Sequence, residues 1–124
     1  MVLNNYAYFL SLEGRDLERA LAMAGRAIVL EENNPTYLDT YAWVLYRLGR
    51  YDEAKKTMQQ ALSLDRSQSP DLQLHYGDIL AALGEKFMAE VYWKKALEGG
   101  YDDPDAIVER FRRLKEAAQT PAAP

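Results

Sequence analysis

The hydrophobic positions of this chain recur at helical spacing. Leu38, Tyr41, Ala42, Leu45 and Leu48 follow the i, i+3, i+4, i+7 pattern of an amphipathic helix. The same spacing recurs along the chain, and glycine or proline interrupts it each time. The pattern predicts an all-α fold, with helices over residues 2–13, 17–31, 36–48, 52–64, 70–83, 86–98 and 104–118.

The chain also repeats itself about every 35 residues. Four columns keep this spacing to within one residue: Gly14, Gly49 and Gly84; Ala20, Ala54 and Ala89; Ala27, Ala61 and Ala96; Pro35, Pro70 and Pro104. A period of this length is typical of proteins that stack structural repeats. Each unit contains two helices, and we expect the glycine between them to adopt the left-handed conformation that ends a helix.

Three units and a last helix account for nearly the whole chain. We expect the units at about 1–34, 35–69 and 70–103. A polar stretch suited to N-capping and a proline in the first turn open the second unit, the third unit and the last helix. The helix over 104–118 is expected to cap the stack through its apolar face, which carries Ile107, Phe111, Leu114 and Ala118. Its basic residues are expected to be solvated: Arg110, Arg112, Arg113 and Lys115. Residues 119–124, which contain two prolines, are expected to form a disordered tail.

A two-helix unit of about 34 residues with glycine at the hinge and alanine early in the second helix resembles the tetratricopeptide repeat. The middle unit carries the resemblance best, with Tyr41, Ala42, Leu45, Gly49, Tyr51, Ala54, Met58, Ala61 and Leu64 in the family's order. The third unit departs at Gln73, where the family has a large apolar residue, and the first has one residue inserted between Gly14 and Ala20. The resemblance implies a right-handed superhelix of three hairpins plus the capping helix.

More narrowly, the first two units look like the last repeats of long bacterial proteins of this family. Met1 and Val2 stand where a helix should already be under way, with no capping residue before them, so we expect a domain from a longer chain. Both the bacterial cytoplasm and the periplasm fit such a domain.

The resemblance implies that the first helix of each unit lines a concave side. The candidate partner-binding residues are those on the non-core face of these helices: Asn4, Tyr8, Ser11, Asp39, Trp43, Tyr46, Leu74 and Asp78. Asp39, Trp43 and Tyr46 stand at i, i+4 and i+7, so we expect them to face solvent together. Trp and Tyr are frequent binding anchors. The alternative, that Trp43 and Tyr46 pack under neighbouring helices, stays open.

Two functions fit these patterns. The first is a protein interaction scaffold that holds an extended or helical segment of a partner protein in the concave groove. The alternative is a structural segment that caps a longer solenoid or self-associates. Groove binding requires that Tyr8 and Trp43 be exposed, whereas the structural role places exposed apolar surface on the first helix. We expect a monomer, with self-association through that helix as the alternative.

Charge on the predicted groove bears on the kind of peptide. Some members of the family hold an acidic C-terminal peptide with Lys, Arg and Asn side chains on this face. Here the matching positions include Asp39 and Asp78, which would repel a carboxylate. A peptide with Lys or Arg beside an apolar residue is expected to fit better, through the acids and Trp43.

Composition excludes several other functions. With 15 basic and 19 acidic residues the net charge is −4, which disfavours nucleic acid as a partner. The apolar runs are too short for a membrane span. The chain has no Cys, and His75 with Asp78 supplies too few ligands for a metal site. No catalytic motif occurs, so we expect neither enzymatic activity nor a cofactor.

Overall fold

The structure is a computed structural model that describes residues 2–119. Within that range it contains seven α-helices and no strand: α1 (Val2–Glu13), α2 (Leu17–Leu30), α3 (Pro35–Arg47), α4 (Tyr51–Leu64), α5 (Pro70–Ala82), α6 (Lys86–Glu98) and α7 (Pro104–Gln119). The predicted all-α fold is confirmed, and every helix begins and ends within one residue of its predicted bounds. Of the predicted tail, Gln119 belongs to α7 and residues 120–124 lie outside the described residues.

Glycine closes each helical hairpin. Gly49 has a φ of +81°, and the N–H of Arg50 donates to the carbonyl of Leu45 at 2.9 Å, which satisfies a carbonyl that the end of α3 leaves open. The turn after α5 is built in the same way. In the first hairpin the inserted residue is accommodated by a second left-handed position, because Asp16 has a φ of +49° in addition to Gly14 at +68°.

Two of the three predicted caps form, at α3 and at α7, where Asp103 Oδ1 accepts from the N–H of Ala106 at 3.3 Å. Asn34 caps α3, since its side-chain oxygen accepts from the N–H groups of Thr36 at 3.0 Å and Tyr37 at 3.2 Å. The expectation of a similar cap before α5 is wrong, because the Ser69 side chain makes no capping bond. There the carboxylate of Asp65 instead accepts from the Ser69 N–H at 2.8 Å and holds the loop.

The hairpins stack so that their first helices form one surface. Helix α1 contacts α3, and α3 contacts α5, while the second helices contribute small buried residues such as Ala54 and Ala61. Small side chains let the helix backbones approach closely. The arrangement of α1, α3 and α5 side by side creates the surface on which the candidate site lies.

Helix α7 closes the stack, as predicted. Ile107 is fully buried in the main hydrophobic core, to which residues of α3, α4, α5 and α6 also contribute. Phe111 packs edge-on against Trp93 with ring centroids 5.7 Å apart. Ala118 is exposed, so the apolar face of α7 ends one turn earlier than the sequence indicated.

Candidate functional site

Two cavities open on the surface formed by the first helices. The acidic cavity, of about 420 Å³, lies among α1, α3, α5 and the loop before α7, and includes Asn4, Tyr8, Asp39, Asp71, His75 and Asp102 in its wall. The α7 cavity, also about 420 Å³, is lined by Tyr46 of α3, Asp78 of α5 and residues of α7 that include Arg110. We call the two cavities and the surface between them the groove.

A row of stacked rings joins the two cavities. Trp43 stacks on Tyr46, with ring centroids 4.6 Å apart, and on His75, with centroids 4.2 Å apart. Tyr46 lines the α7 cavity and His75 lines the acidic cavity. All three rings are partly exposed, so the groove offers a continuous aromatic strip with a polar cavity on either side.

The structure divides the eight predicted partner-binding residues into two groups. Tyr8, Trp43 and Tyr46 are partly exposed, and their role in binding stays a prediction. The other five are buried: Asn4, Ser11, Asp39, Leu74 and Asp78. The expectation that Asp39 faces solvent beside Trp43 and Tyr46 is wrong, because only 7% of Asp39 is exposed.

Ser11 and Leu74 have structural roles instead of the predicted contact with a partner. Ser11 is fully buried, and its hydroxyl donates to the carbonyl of Tyr8 within α1 at 2.6 Å. Leu74 is 1% exposed and belongs to the main core. Both positions therefore face neighbouring helices and not solvent.

Asp39 is buried because it has a partner on the next hairpin. Its Oδ1 lies 2.8 Å from Nδ1 of His75, whose side chain is 12% exposed. Burial by itself lowers the pKa of His75, but the charge of Asp39 and its hydrogen bond outweigh burial and, with Asp78 and Asp71, raise that pKa above the ordinary value. His75 is therefore paired with Asp39 across helices, and not with its i+3 neighbour Asp78.

This pair predicts a pH dependence of stability. A pKa raised in the folded state means that His75 contributes stability that is fully present below its ordinary pKa of 6.5 and is lost as the pH rises through the raised value. The free energy of unfolding should fall as the pH rises above the ordinary pKa of His75 and through the raised one, by at most about 1.4 kcal/mol per pH unit. Urea unfolding across this range measures it.

The control for this prediction is His75→Gln, which removes the group that titrates. Because the chain has one His and no Cys, no other side chain has its ordinary pKa in this range. The variant should lose the pH dependence whatever its absolute stability. An equal slope in the wild type and in His75→Gln would contradict the assignment.

Asp78 is the centre of a second buried network. It accepts from Arg110 through two bonds, at 2.7 Å from Nε and 2.9 Å from Nη2, and from Nε1 of Trp93 at 3.0 Å. Arg110 also donates to the carbonyl of Ala106. The expectation that Arg110 belongs to a solvated basic face is therefore wrong, because it fastens α7 to α5. Arg112 and Arg113 do form surface ion pairs with Glu109, as a solvated face requires.

These partners change the expected charge of the groove. The repulsion of an acidic peptide was expected from Asp39 and Asp78, yet both acids have cationic or hydrogen-bonded partners within the chain. The exposed acids of the acidic cavity are Asp71 and Asp102, neither of which was predicted to contact a partner. Both stand at or just before the start of a helix, where an acid is ordinarily explained by capping or the helix dipole.

A separate apolar stripe lies on the outer side of α1. Val2, Tyr6, Phe9 and Leu12 are spaced along one face and exposed, with 45% of Phe9 accessible. The residue 35 positions beyond Phe9 is Val44, which is fully buried and packs in a cluster with residues of α2. The equivalent face of α3 is thus covered by another helix, whereas on α1 the guanidinium groups of Arg15 and Arg19 lie over Phe9 and Tyr6 and leave both rings exposed.

Two further properties concern residues 2–119 alone. None of the seven helices combines the length and the apolar character that crossing a bilayer requires. Across the same range, no three or more His, Asp or Glu side chains are grouped so that they could hold a metal ion.

Comparison with known proteins identifies the repeat. Residues 35–67 match the family described as tetratricopeptide repeat. The fold is similar to that of the type III secretion translocator chaperone SycD of Yersinia enterocolitica, with 18% identity and a TM-score of 0.77 over 95% of this chain and 92% of that one.

Two similar structures contain a bound peptide or protein segment. The first repeat domain of Spaghetti (RPAP3), bound to the HSP90 peptide SRMEEVD, has 18% identity and a TM-score of 0.80 over 96% of this chain and 92% of that one. PcrH, in complex with the chaperone binding region of PopB, has 17% identity and a TM-score of 0.70 over 87% of each chain. At this identity the likeness concerns the fold.

Proposed function

Because residues 35–67 form a tetratricopeptide repeat and residues 2–119 have the fold of such domains, we propose that the chain is a protein interaction scaffold. A segment of a partner protein binds along the groove, across the aromatic strip and into the two flanking cavities. The activity is binding, with no chemical step.

The observation that carries this proposal is the row of rings formed by Tyr46, Trp43 and His75. The rings are partly exposed although a small helical domain ordinarily buries its aromatic residues. Rigid aromatic side chains bury a large area at low entropic cost when a partner covers them. The peptide complexes of RPAP3 and PcrH support the same kind of function on this fold.

A blocking substitution tests where the partner binds. Peptides are first selected on the wild-type domain from a random library, and their affinities are then measured on Asn5→Trp. Asn5 is exposed and lines the acidic cavity, so a bulky ring there should obstruct the groove and weaken binding by about tenfold or more. Fluorescence anisotropy of labelled peptides gives the affinities.

The matched control is Ser63→Trp, which adds the same ring at an exposed polar position on α4, a second helix. It should leave peptide affinity unchanged. Equal affinities for the two variants would show that the selected peptides bind elsewhere and would contradict the groove proposal.

A second candidate function rests on the apolar stripe of α1. Because Val44, the counterpart of Phe9, is covered by α2, the stripe has the character of a surface on which a further helix stacks. It would serve to continue a solenoid or to join two copies. Sedimentation velocity at increasing concentration tests the second of these: a monomer throughout opposes self-association, and a dimer that Phe9→Asp dissociates supports it.

A further inference from the structure

We propose that the acidic cavity binds one positively charged side chain, Lys or Arg, of the partner segment. This inference rests on the proposed function, because it specifies what the groove selects at one end. The sequence predicts that Asp39 and Asp78 attract a basic residue, whereas this inference places the site at Asp71, Asp102 and Asn4 and not at Asp78.

Three carboxylates line the cavity. Asp39 comes from α3, Asp71 from the first turn of α5, and Asp102 from the loop between α6 and α7. His75 offsets part of the charge of Asp39, but Asp71 and Asp102 are exposed, and neither Lys nor Arg is among the lining residues. The cavity therefore carries an excess of negative charge in a partly enclosed space, where charge interacts more strongly than in water.

A buried acceptor without a partner marks the same cavity. Asn4 lines it, is 5% exposed, and has a side-chain oxygen Oδ1 with no hydrogen-bond partner in the described chain. A buried polar atom left without a partner is costly, and native proteins rarely keep one. An ammonium or guanidinium group has only donors to offer, so it supplies what Asn4 lacks.

The tyrosines of the cavity report the same negative charge. Burial is the main cause that raises the pKa of Tyr8, and the charges of Asp39 and Asp71 raise it further. Burial also raises the pKa of Tyr101, with added contributions from Asp71 and Asp102. Burial disfavours any charge, but the contribution of these carboxylates opposes only negative charge and attracts a cation, and the faces of the aromatic rings provide an apolar wall for its methylene stem.

The cavity has room for a long side chain. Its volume of about 420 Å³ lies toward the lower end of the range for small-molecule sites. The stack of His75 on Trp43 leads from this cavity to the aromatic strip. A Lys or Arg residue entering the cavity would therefore place its neighbours in the partner on the rings.

The first experiment uses a probe that is too short to reach beyond the acidic cavity. Nα-acetyl-lysine methylamide is titrated into the isotopically labelled domain, and amide chemical shifts are followed by NMR, with the norleucine analogue as the uncharged control. We expect saturable shifts at Asn4, Tyr8 and Tyr101 with lysine only, weakened by added salt. Equal effects of the two compounds would overturn the inference.

The variants compare two acids in equivalent positions. Asp71→Asn removes an acid from the first turn of α5, and Asp105→Asn removes an exposed acid from the first turn of α7, outside the lining of the cavity. Asp71→Asn should weaken lysine binding by about two- to fivefold, as expected for one exposed ion pair, and Asp105→Asn should not. Equal affinities for the two variants would again overturn the inference.

The selected groove peptides separate this inference from the proposed function. Each Lys or Arg in them is replaced by norleucine, and one replacement should cost about tenfold in affinity, with a smaller cost on Asp71→Asn. If the peptides bind the groove equally well without any cation, the cavity inference fails and the groove proposal stands. If no peptide binds along the groove while the lysine probe still binds the acidic cavity, the groove proposal fails and only the preference of the cavity for a cation stands.

Discussion

Gly77→Ala is expected to destabilise the domain by about 3 kcal/mol, which is the upper end of the usual cost of overpacking a core. A Cβ atom on Gly77 would lie 2.5 Å from Cδ1 and 2.6 Å from Nε1 of Trp93, and 3.2 Å from the carbonyl oxygen of Ala89. Trp93 has little room to retreat, because it is 4% exposed and donates to Asp78. Moving its ring also disturbs the buried acid. Urea denaturation measures the change.

The matched control is Gly25→Ala, also in the interior of a helix. A Cβ atom there would meet only Cε2 of Tyr41 at 3.6 Å, an ordinary contact. Alanine should therefore stabilise the domain by about 0.5–1 kcal/mol, through the lower entropy of its unfolded chain. A change in stability of the same direction and size in both variants would contradict the close packing of Gly77 on Trp93.

Arg110→Gln is expected to cost about 3 kcal/mol, because it leaves the buried carboxylate of Asp78 without its cationic partner. Arg110 donates two hydrogen bonds to Asp78, which link α7 to α5. Only the bond from Trp93 would then compensate the charge. Thermal or urea unfolding of the variant gives the loss.

Arg113→Gln is the control on the same helix. Its ion pair with Glu109 lies at the surface, with 76% of the Arg113 side chain exposed, so the loss should stay below about 1 kcal/mol. The double variant Arg110→Gln with Asp78→Asn should recover part of the stability, because the unpaired charge is removed. A loss for Arg110→Gln no larger than that for Arg113→Gln would refute the buried pair.

The fold could be predicted because its signals are local. Gly49 and Gly84 end their helices by adopting a conformation that other residues resist, and the alanine columns are small where helices approach. Each of these requirements recurs once per unit at a fixed spacing. A 35-residue period therefore indicated the seven helices, and even the extra residue near Asp16, before any tertiary contact was known.

The site was less predictable because the side chains that pair with one another in it come from different hairpins. The helical position of Asp39 does not indicate that His75, 36 residues later, lies 2.8 Å away. Likewise, Arg110 lies among other charged residues in the sequence, as is typical of an exposed helix face. Only the docking of α7 on α5 brings it to Asp78. Burial of acids by such pairs depends on the stacking geometry, which periodicity does not encode.

The most direct test of the groove uses the two indole N–H signals of the domain. The chain has two tryptophans, and Trp43→Phe assigns their signals. On addition of a selected peptide, the signal of Trp43 should shift together with the amides of Tyr8 and Tyr46, whereas the signal of the buried Trp93 should change little. Peptide-induced shifts confined to the outer stripe of α1, at Tyr6, Phe9 and Leu12, would contradict the account.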